Sequence, residues 1–253
     1  MRVFIKSIYD ERGHSIFPEK LSDEKLKSLR AKIGSTDFSA LYELKVISDT
    51  EADFKKEDLK TFVSLPKGDY ATFLLIDLGG TDELKNDATG FVVIKVDRDD
   101  NWFISSAERF WGSILDIDRK IFELYNIWTP KKIGVEREKY SIALMPILKQ
   151  DMLARNIHLP VEELKIKIGN RRSMRDRILS LQGRWESHKL FIQEGLTDLI
   201  DEFLRFPRGR FDDLISALSY GNVICHRPKK TIKKRDPRLS PLWGLTRQFS
   251  QLR

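Results

Sequence analysis

The stretch YATFLLIDLGG, residues 70–80, is an almost unbroken run of apolar side chains that ends in Asp77 and two glycines. Such a run is typical of a β-strand that is buried on both faces of a sheet. Pro66, Lys67 and Gly68 stand just before it and mark a boundary. We therefore predict that the main domain begins at residue 66 with this strand, and that Asp77 lies at the end of the strand.

The segments after this strand predict a mixed sheet covered by helices. Residues 88–97 and 101–108 are strand-like and are joined by a turn at 98–100, so the first three strands form an antiparallel meander. Apolar periodicity predicts further helices at 114–128, 139–155, 172–182, 196–206 and 212–223, and further strands at 131–136, 163–168 and 189–192. The order β-β-β-α-β-α-β, followed by helices, is that of the ribonuclease H-like α/β fold, in which the first and fourth strands are neighbours.

Acidic residues stand at the ends of three of these elements. Asp77 ends the first strand, Glu136 follows the apolar end of KKIGV, and Asp212 and Asp213 open FDDLISALSYG. If the fold brings them together, hard oxygen ligands converge in one cleft, which is the arrangement that holds Mg²⁺ or Mn²⁺ for phosphodiester cleavage. Glu138 shares a strand face with Glu136 and is the alternative ligand there.

The acidic pair before the last helix has a second interpretation. Asp212 and Asp213 are also what a helix N-cap and first turn require, so one of them can serve the helix and the other the metal.

Positive charge is concentrated near the C-terminus. Residues 226–238, HRPKKTIKKRDPR, contain seven Lys and Arg against one Asp, which is a net +6 of the chain's formal +7. We predict a basic tail over 227–253 that binds a polyanion, with a solvated terminus as the alternative. The candidate nucleic-acid contacts are five basic residues of this tail and four arginines in or just before the helix at 172–182: Lys229, Lys230, Lys233, Lys234, Arg235, Arg171, Arg172, Arg175 and Arg177.

Other compositional features exclude several classes of protein. The single cysteine, Cys225, cannot form an internal disulfide and has no zinc-ligand spacing around it, which indicates a reducing compartment. The sequence has no signal-peptide h-region and no run of about 18 apolar residues, so we expect no membrane partner. Residues 1–65 are charge-rich with short helical patterns, and we interpret them as an N-terminal helical linker or appendage ahead of a domain at 66–226.

These segments resemble the C-terminal nuclease half of the large terminase subunit of tailed bacteriophages. LLIDLGG is similar to the first acidic strand of that family, IGVERE to its second acidic motif and FDDLISALSYG to its closing acidic helix. The segment FPEKLSDEKLKSLRAKIGSTDFSALYEL resembles the family's stretch between ATPase and nuclease. The family often has another Asp three residues after the acidic pair, where this chain has Ser216.

The resemblance implies a metal-dependent endodeoxyribonuclease that cuts concatemeric phage DNA in the cytoplasm of the infected bacterial host. It implies double-stranded DNA as substrate, and the terminase ATPase domain, small terminase subunit and portal as partners. It also implies two Mg²⁺ or Mn²⁺ ions held by Asp77, Glu136 and one of Asp212 and Asp213. No Gly is followed by Lys, so the Walker A loop of the family's ATPase half is missing.

Two other functions fit parts of the sequence. Asp77 to Thr81, DLGGT, resembles the phosphate loop of actin-like sugar kinases, but no later Gly-rich adenosine loop follows. A non-catalytic DNA-binding module would suit the basic tail alone. Metal-dependent cleavage distinguishes the nuclease from the binding module, and ATP turnover identifies the kinase.

Overall fold

Seven strands form one mixed sheet in the part of the chain that the computed structural model describes, namely residues 7–10, 12–44, 53–79, 88–137, 139–164 and 174–228. The strands are β1 (Lys60–Phe62), β2 (Ala71–Asp77), β3 (Thr89–Val96), β4 (Trp102–Phe110), β5 (Lys132–Glu136), β6 (Val161–Leu164) and β7 (Leu190–Gln193). They lie in the order β1-β7-β4-β3-β2-β5-β6. β2, β3 and β4 form the antiparallel meander, while β5 pairs with β2 in parallel. The predicted ribonuclease H-like fold is confirmed, including the adjacency of the first and fourth predicted strands.

Helices cover both faces of this sheet. They are α1 (Asp23–Ile33), α2 (Ser35–Phe38), α3 (Ile114–Trp128), α4 (Lys139–Arg155), α5 (Met174–Leu179), α6 (Gln182–Glu186), α7 (Thr197–Arg205), α8 (Asp213–Ser219) and α9 (Gly221–Ile224). α3 begins at residue 114 because Ser113 and Asp116 form a capping box, with each side chain bonded to the other's backbone N–H. None of the helices in the described ranges is long and apolar enough to cross a membrane.

β2 is central because both of its faces are buried, as its unbroken apolar run predicts. Phe73 and Leu75 belong to the apolar cluster that includes α8 residues, whereas Leu74 and Ile76 belong to a second cluster with α3 and α4. The two clusters are the two sides of the sheet, since side chains alternate along a strand. The side that contacts α8 is called the α8 side below.

The N-terminal segment packs on the same body. Phe54 is fully buried in the cluster on the α8 side, and β1 pairs in parallel with β7 at the edge of the sheet. Strand β1 was not predicted, because Lys60–Phe62 has no apolar pattern of its own. The division of the chain at residue 65 remains a prediction.

Two predicted helices differ from the observed ones. The helix expected at 172–182 is described from residue 174 as the two short helices α5 and α6. The helix expected at 212–223 is broken at Tyr220 into α8 and α9. The last part of the strand predicted at 163–168 lies outside the described residues, and β6 itself spans Val161–Leu164.

Candidate active site

The carboxylates of Asp77 and Glu136 stand at the ends of two neighbouring parallel strands. Ile76 of β2 lies opposite Val135 of β5, so the next residue of each strand is a carboxylate at the same edge of the sheet. Residues 59 positions apart in sequence are therefore brought side by side by strand pairing alone.

Both carboxylates also lie on the α8 side of the sheet. Asp77 is two residues after Leu75, and Glu136 is two residues after Gly134, so each shares a face with that residue. Leu75 belongs to the cluster on the α8 side, and a side chain at Gly134 would press on Leu75 and on Ile224 of α9. The helices that close the domain therefore cover the two carboxylates.

Tyr220, between α8 and α9, joins the two carboxylates. Its hydroxyl oxygen lies 3.0 Å from Asp77 Oδ1 and also makes a short hydrogen bond with Glu136 Oε2. Burial and the neighbouring charge of Asp77 raise the pKa of Tyr220 above its ordinary value. The tyrosine therefore stays protonated and can donate to either carboxylate, and both carboxylates face one point in space.

Arg177 of α5 supplies a positive charge directly beside this pair. Its Nη1 lies 3.2 Å from Glu136 Oε1, its Nη2 donates to Ser216 Oγ at 2.9 Å, and its Nε donates to Ser219 Oγ at 3.0 Å. The guanidinium carbon is 4.4 Å from the centre of the Tyr220 ring. The arginine is thus held by three side chains and stacked on a fourth.

Burial also affects the ionisation of Asp77. Burial raises the pKa of Asp77 to about 6, although hydrogen bonding to Ser216 and the charge of Arg177 act in the opposite direction. A buried carboxylate with a raised pKa is costly to ionise, and a cation bound at the site would offset this cost.

Asp212 and Asp213 lie at the start of α8. Asp212 occupies the N-cap position but makes no side-chain capping hydrogen bond, and Asp213 is the first helical residue. The Asp213 backbone approaches the sheet closely, since a Cβ on Gly90 would lie 2.4 Å from its carbonyl oxygen, and Gly90 is the β3 partner of Asp77. The start of α8 is therefore held against the strand end that carries Asp77.

The capping of α8 comes from a residue that the sequence analysis missed. One carboxylate oxygen of Glu202, a buried residue of α7, accepts hydrogen bonds from the backbone N–H groups of Leu214 and Ile215, both at 2.9 Å. Arg109 Nε lies 3.2 Å from the other oxygen. Glu202 therefore caps α8 in place of an N-cap aspartate and fixes the start of the helix.

The third carboxylate is not gathered with the first two. Among the described residues, no group of three His, Cys, Asp or Glu side chains lies close enough together to hold a metal ion. Asp77 and Arg177 are instead faced by Ser216 of α8 and by Tyr220, which follows the end of α8 one helical turn later, while Ser219 of α8 also bonds to Arg177. The donors at the pair fit a hard divalent cation, since two carboxylates converge on one point, whereas the expected three-carboxylate set is not assembled.

The spacing of polar residues at the end of the domain places Tyr220 on the same helix face as Ser216, a signal that the sequence analysis did not use. Positions four residues apart in a helix share one face, and the polar residues Asp212, Ser216 and Tyr220 have this spacing from the N-cap of α8 to the residue just after it. A polar stripe on a buried helix marks the side that meets polar groups of the sheet.

The candidate nucleic-acid contacts are only partly described. Arg177 lies in the carboxylate site, and Arg175 Nη2 lies 3.5 Å from the buried Asp53 carboxylate. The remaining candidates, together with the alternative ligand Glu138, lie outside the described residues: Arg171, Arg172, Lys229, Lys230, Lys233, Lys234 and Arg235.

Comparison with known proteins identifies a family. The family described as the terminase RNase H-like domain matches residues 74–223, which include the second half of β2 with Asp77, and all of β5 and α8. No curated protein is a significant match to the chain.

Several solved structures are similar in fold at low identity. The large terminase nuclease of thermophilic phage G20c is 16% identical over 67% of this chain and 97% of that one, with a TM-score of 0.47. The same nuclease with bound magnesium is 15% identical over 68% and 96%, with a TM-score of 0.48. The yeast mitochondrial Holliday junction resolvase Ydc2 is 16% identical over 61% and 78%, with a TM-score of 0.40.

Proposed function

Because the chain belongs to the family of terminase RNase H-like domains, we propose that it is a metal-dependent DNA endonuclease. The observation that carries the proposal is the convergence of Asp77 and Glu136 on the Tyr220 hydroxyl at the edge of the sheet. Two carboxylates that face one point are suited to a hard divalent cation, and such cations assist phosphodiester hydrolysis.

The biological role that we propose is cleavage of concatemeric phage DNA during genome packaging. In this role the substrate is double-stranded DNA, and the chain acts together with a terminase ATPase domain, a small terminase subunit and the portal in the cytoplasm of the infected host. This part of the proposal rests on the family.

Asp77 and Glu136 are the proposed metal ligands, with Asp212 or Asp213 as the source of a third carboxylate for a second ion. When bound, Mg²⁺ or Mn²⁺ would supply Lewis-acid activation of the attacking water and stabilisation of the charge on the leaving 3′ oxygen. Asp77 suits the ligand role because burial raises the pKa of its carboxyl group, and a neighbouring cation would offset the cost of ionising it.

The other residues of the site orient these groups. The protonated Tyr220 hydroxyl keeps the two carboxylates facing each other, and Ser216 supports both Asp77 and the Arg177 guanidinium. Arg177 has N–H donors that match phosphate oxygens, so it is placed to hold the scissile phosphate beside the carboxylates.

Supercoiled plasmid tests the proposed activity. We expect the protein to convert it into linear and shorter fragments in Mg²⁺ or Mn²⁺, and chelation to stop the reaction, because the carboxylate pair needs a divalent cation to act. Agarose gels of time courses in each metal and in chelator measure the result.

Intact plasmid in every metal would contradict the nuclease and favour a non-catalytic DNA-binding module. ATP serves as a second control: cutting should need no ATP and the protein should hydrolyse none, because the sequence has no Gly-Lys pair for a phosphate loop. Measurable ATP turnover would instead favour the actin-like kinase.

The substitution Arg177→Gln should increase the affinity of the site for Mn²⁺. The guanidinium lies 3.2 Å from Glu136, so it competes electrostatically with any cation that this carboxylate binds. A unit charge about 5 Å from a divalent ion opposes binding by about 1.7 kcal/mol even at the dielectric constant of water, so we expect binding to tighten about tenfold. Isothermal titration of metal-free protein with Mn²⁺ measures the change.

The matched control for this experiment is Arg205→Gln. Arg205 is an exposed arginine of α7 that pairs with Asp201, and its loss should leave Mn²⁺ affinity unchanged. Equal affinity in Arg177→Gln and the parent protein would show that the metal does not bind beside Glu136.

A further inference from the structure

A cleft of about 920 Å³ opens directly from the carboxylate site. Arg177 and Ser219 line it, and these are the residues whose side chains bond to each other beside Glu136. Its volume is at the upper end of the range for ligand sites, which suits a short stretch of one nucleic-acid strand better than a whole duplex.

The lining of this cleft is strongly basic. Five cationic side chains and two acidic ones border it. The cations are Lys32, Arg177, Arg184, Lys189 and Arg227, and the acids are Asp37 and Asp100. Small hydroxyl residues, among them Ser28, Ser180 and Ser187, line the space between the charges. Cations interspersed with hydroxyl donors are the groups that contact a sugar-phosphate backbone.

One wall of the cleft is rigid. Arg184 donates to the Asp100 carbonyl at 2.9 Å and to its carboxylate at 3.0 Å, and it stacks over the Trp102 ring at 4.1 Å. Lys189 Nζ donates to the Asp99 carbonyl at 3.0 Å. These contacts hold Arg184 and Lys189 in position before any ligand arrives.

Another part of the lining comes from α1, which precedes the residues matched by the family. The C-terminal end of α1 packs directly on α6, because Gly183 has no side chain. A Cβ at Gly183 would clash with the carbonyl oxygens of Ala31 and Lys32. In α2, the Ser35 backbone N–H donates to Glu186 at 3.0 Å and that of Thr36 donates to Gln182 at 3.0 Å. The exposed side chain of Lys32 thus faces the cleft from a fixed helix.

We infer that this cleft holds the backbone of one DNA strand next to the scissile phosphate, with α1 as a wall of the substrate site. The inference rests on the proposed nuclease function and extends it. In this inference the segment before residue 65 takes part in DNA binding through Lys32, whereas the sequence alone predicted only a linker or appendage there.

Binding of a fluorescein-labelled single-stranded DNA in chelator tests this inference without any cleavage. Lys32→Glu should weaken binding about tenfold or more, and the slope of log K against log salt should fall by about 0.7 for each lost phosphate contact on a single strand. Lys149→Glu is the matched control, since Lys149 is an exposed lysine of α4, whose apolar residues pack on the other side of the sheet. Anisotropy titrations at several salt concentrations give both quantities.

Crosslinking places the strand independently of affinity. Ala31→Cys should react with a DNA strand that carries an alkylating group on a phosphorothioate, whereas Lys149→Cys should not. The background is low, because Cys225 is the only natural cysteine and burial raises the pKa of its thiol.

The outcomes separate this inference from the proposed function. The inference would be overturned if Lys32→Glu bound the DNA as tightly as Lys149→Glu, or if Ala31→Cys gave no crosslink. It would also be overturned if an RNA of the same sequence bound more tightly than the DNA and if this binding depended on Lys32. Loss of binding in Lys32→Glu together with an uncut plasmid would support the cleft while overturning the nuclease.

Discussion

Asp77→Asn should reduce plasmid cleavage by roughly 10³-fold or more while DNA binding persists. The amide keeps the size of the side chain but removes the negative charge that a metal ligand offers, and the metal's contribution is worth several kcal/mol of barrier. Time courses of cleavage, with anisotropy binding in chelator, measure the two effects separately. Duplex binding should hold or tighten, because one source of repulsion for phosphate is removed.

The same substitution should change how stability depends on pH. The folded pKa of Asp77, about 6, lies above the unfolded value, so the contribution of Asp77 to stability is fully present below the unfolded pKa and is lost as pH rises through about 6. The neutral amide has no such loss. We expect Asp77→Asn to melt higher than the parent at pH 8 without metal, and this advantage to disappear at pH 4.

Three comparisons complete this test. Asp201→Asn alters an exposed carboxylate of α7 and should leave cleavage unchanged. Asp212→Asn and Asp213→Asn are made singly, and the variant that reproduces the loss of plasmid cleavage identifies the third ligand. Cleavage by Asp77→Asn at the parental rate would show that this strand end is not part of the active site.

Gly90→Ala should destabilise the protein and inactivate it together. A Cβ at this position would lie 2.4 Å from the Asp213 carbonyl oxygen, so α8 must move away from β3. Overpacking of this kind typically costs about 1–3 kcal/mol. Because α8 carries Ser216 and leads to Tyr220, its displacement should also pull these groups away from Asp77. Urea unfolding and plasmid cleavage give the two readouts.

Gly68→Ala is the matched control for this change. Its Cβ would meet only the Tyr70 ring, at 3.9 Å, so stability and cleavage should stay close to the parent. Similar unfolding midpoints for the two variants would show that α8 does not press on β3 as closely as the geometry indicates.

The sequence predicted six of the seven described strands because these six have local signals, whereas β1 has none. The run from Tyr70 to Leu78 is apolar on both faces, and the capping box at Ser113 starts a periodic helix. The adjacency of Asp77 and Glu136 followed from the order of elements, since β5 returns beside β2 in this fold. These parts needed no knowledge of side-chain contacts.

The parts that were missed depend on contacts between distant segments. Glu202 lies between the buried Leu199 and Phe203 of α7, so its position on an apolar face was visible, but its partner at the start of α8 was not. The role of Arg177 was likewise hidden, because a basic segment indicates a charged surface and not a guanidinium beside Glu136. Burial and pairing of charged groups are tertiary properties.

The position of β1 has a consequence for how the chain folds as it is synthesised. Among the described strands, β1 pairs only with β7, which is the last to leave the ribosome. β1 therefore cannot pair until β7 has been synthesised. Pairing of strands so far apart in sequence is also slow, because the long loop between them must close first. A nascent chain that ends before residue 190 has the meander and both carboxylate strands, yet it still lacks β7, the described strand with which β1 pairs, so this edge of the sheet stays open until β7 has been made.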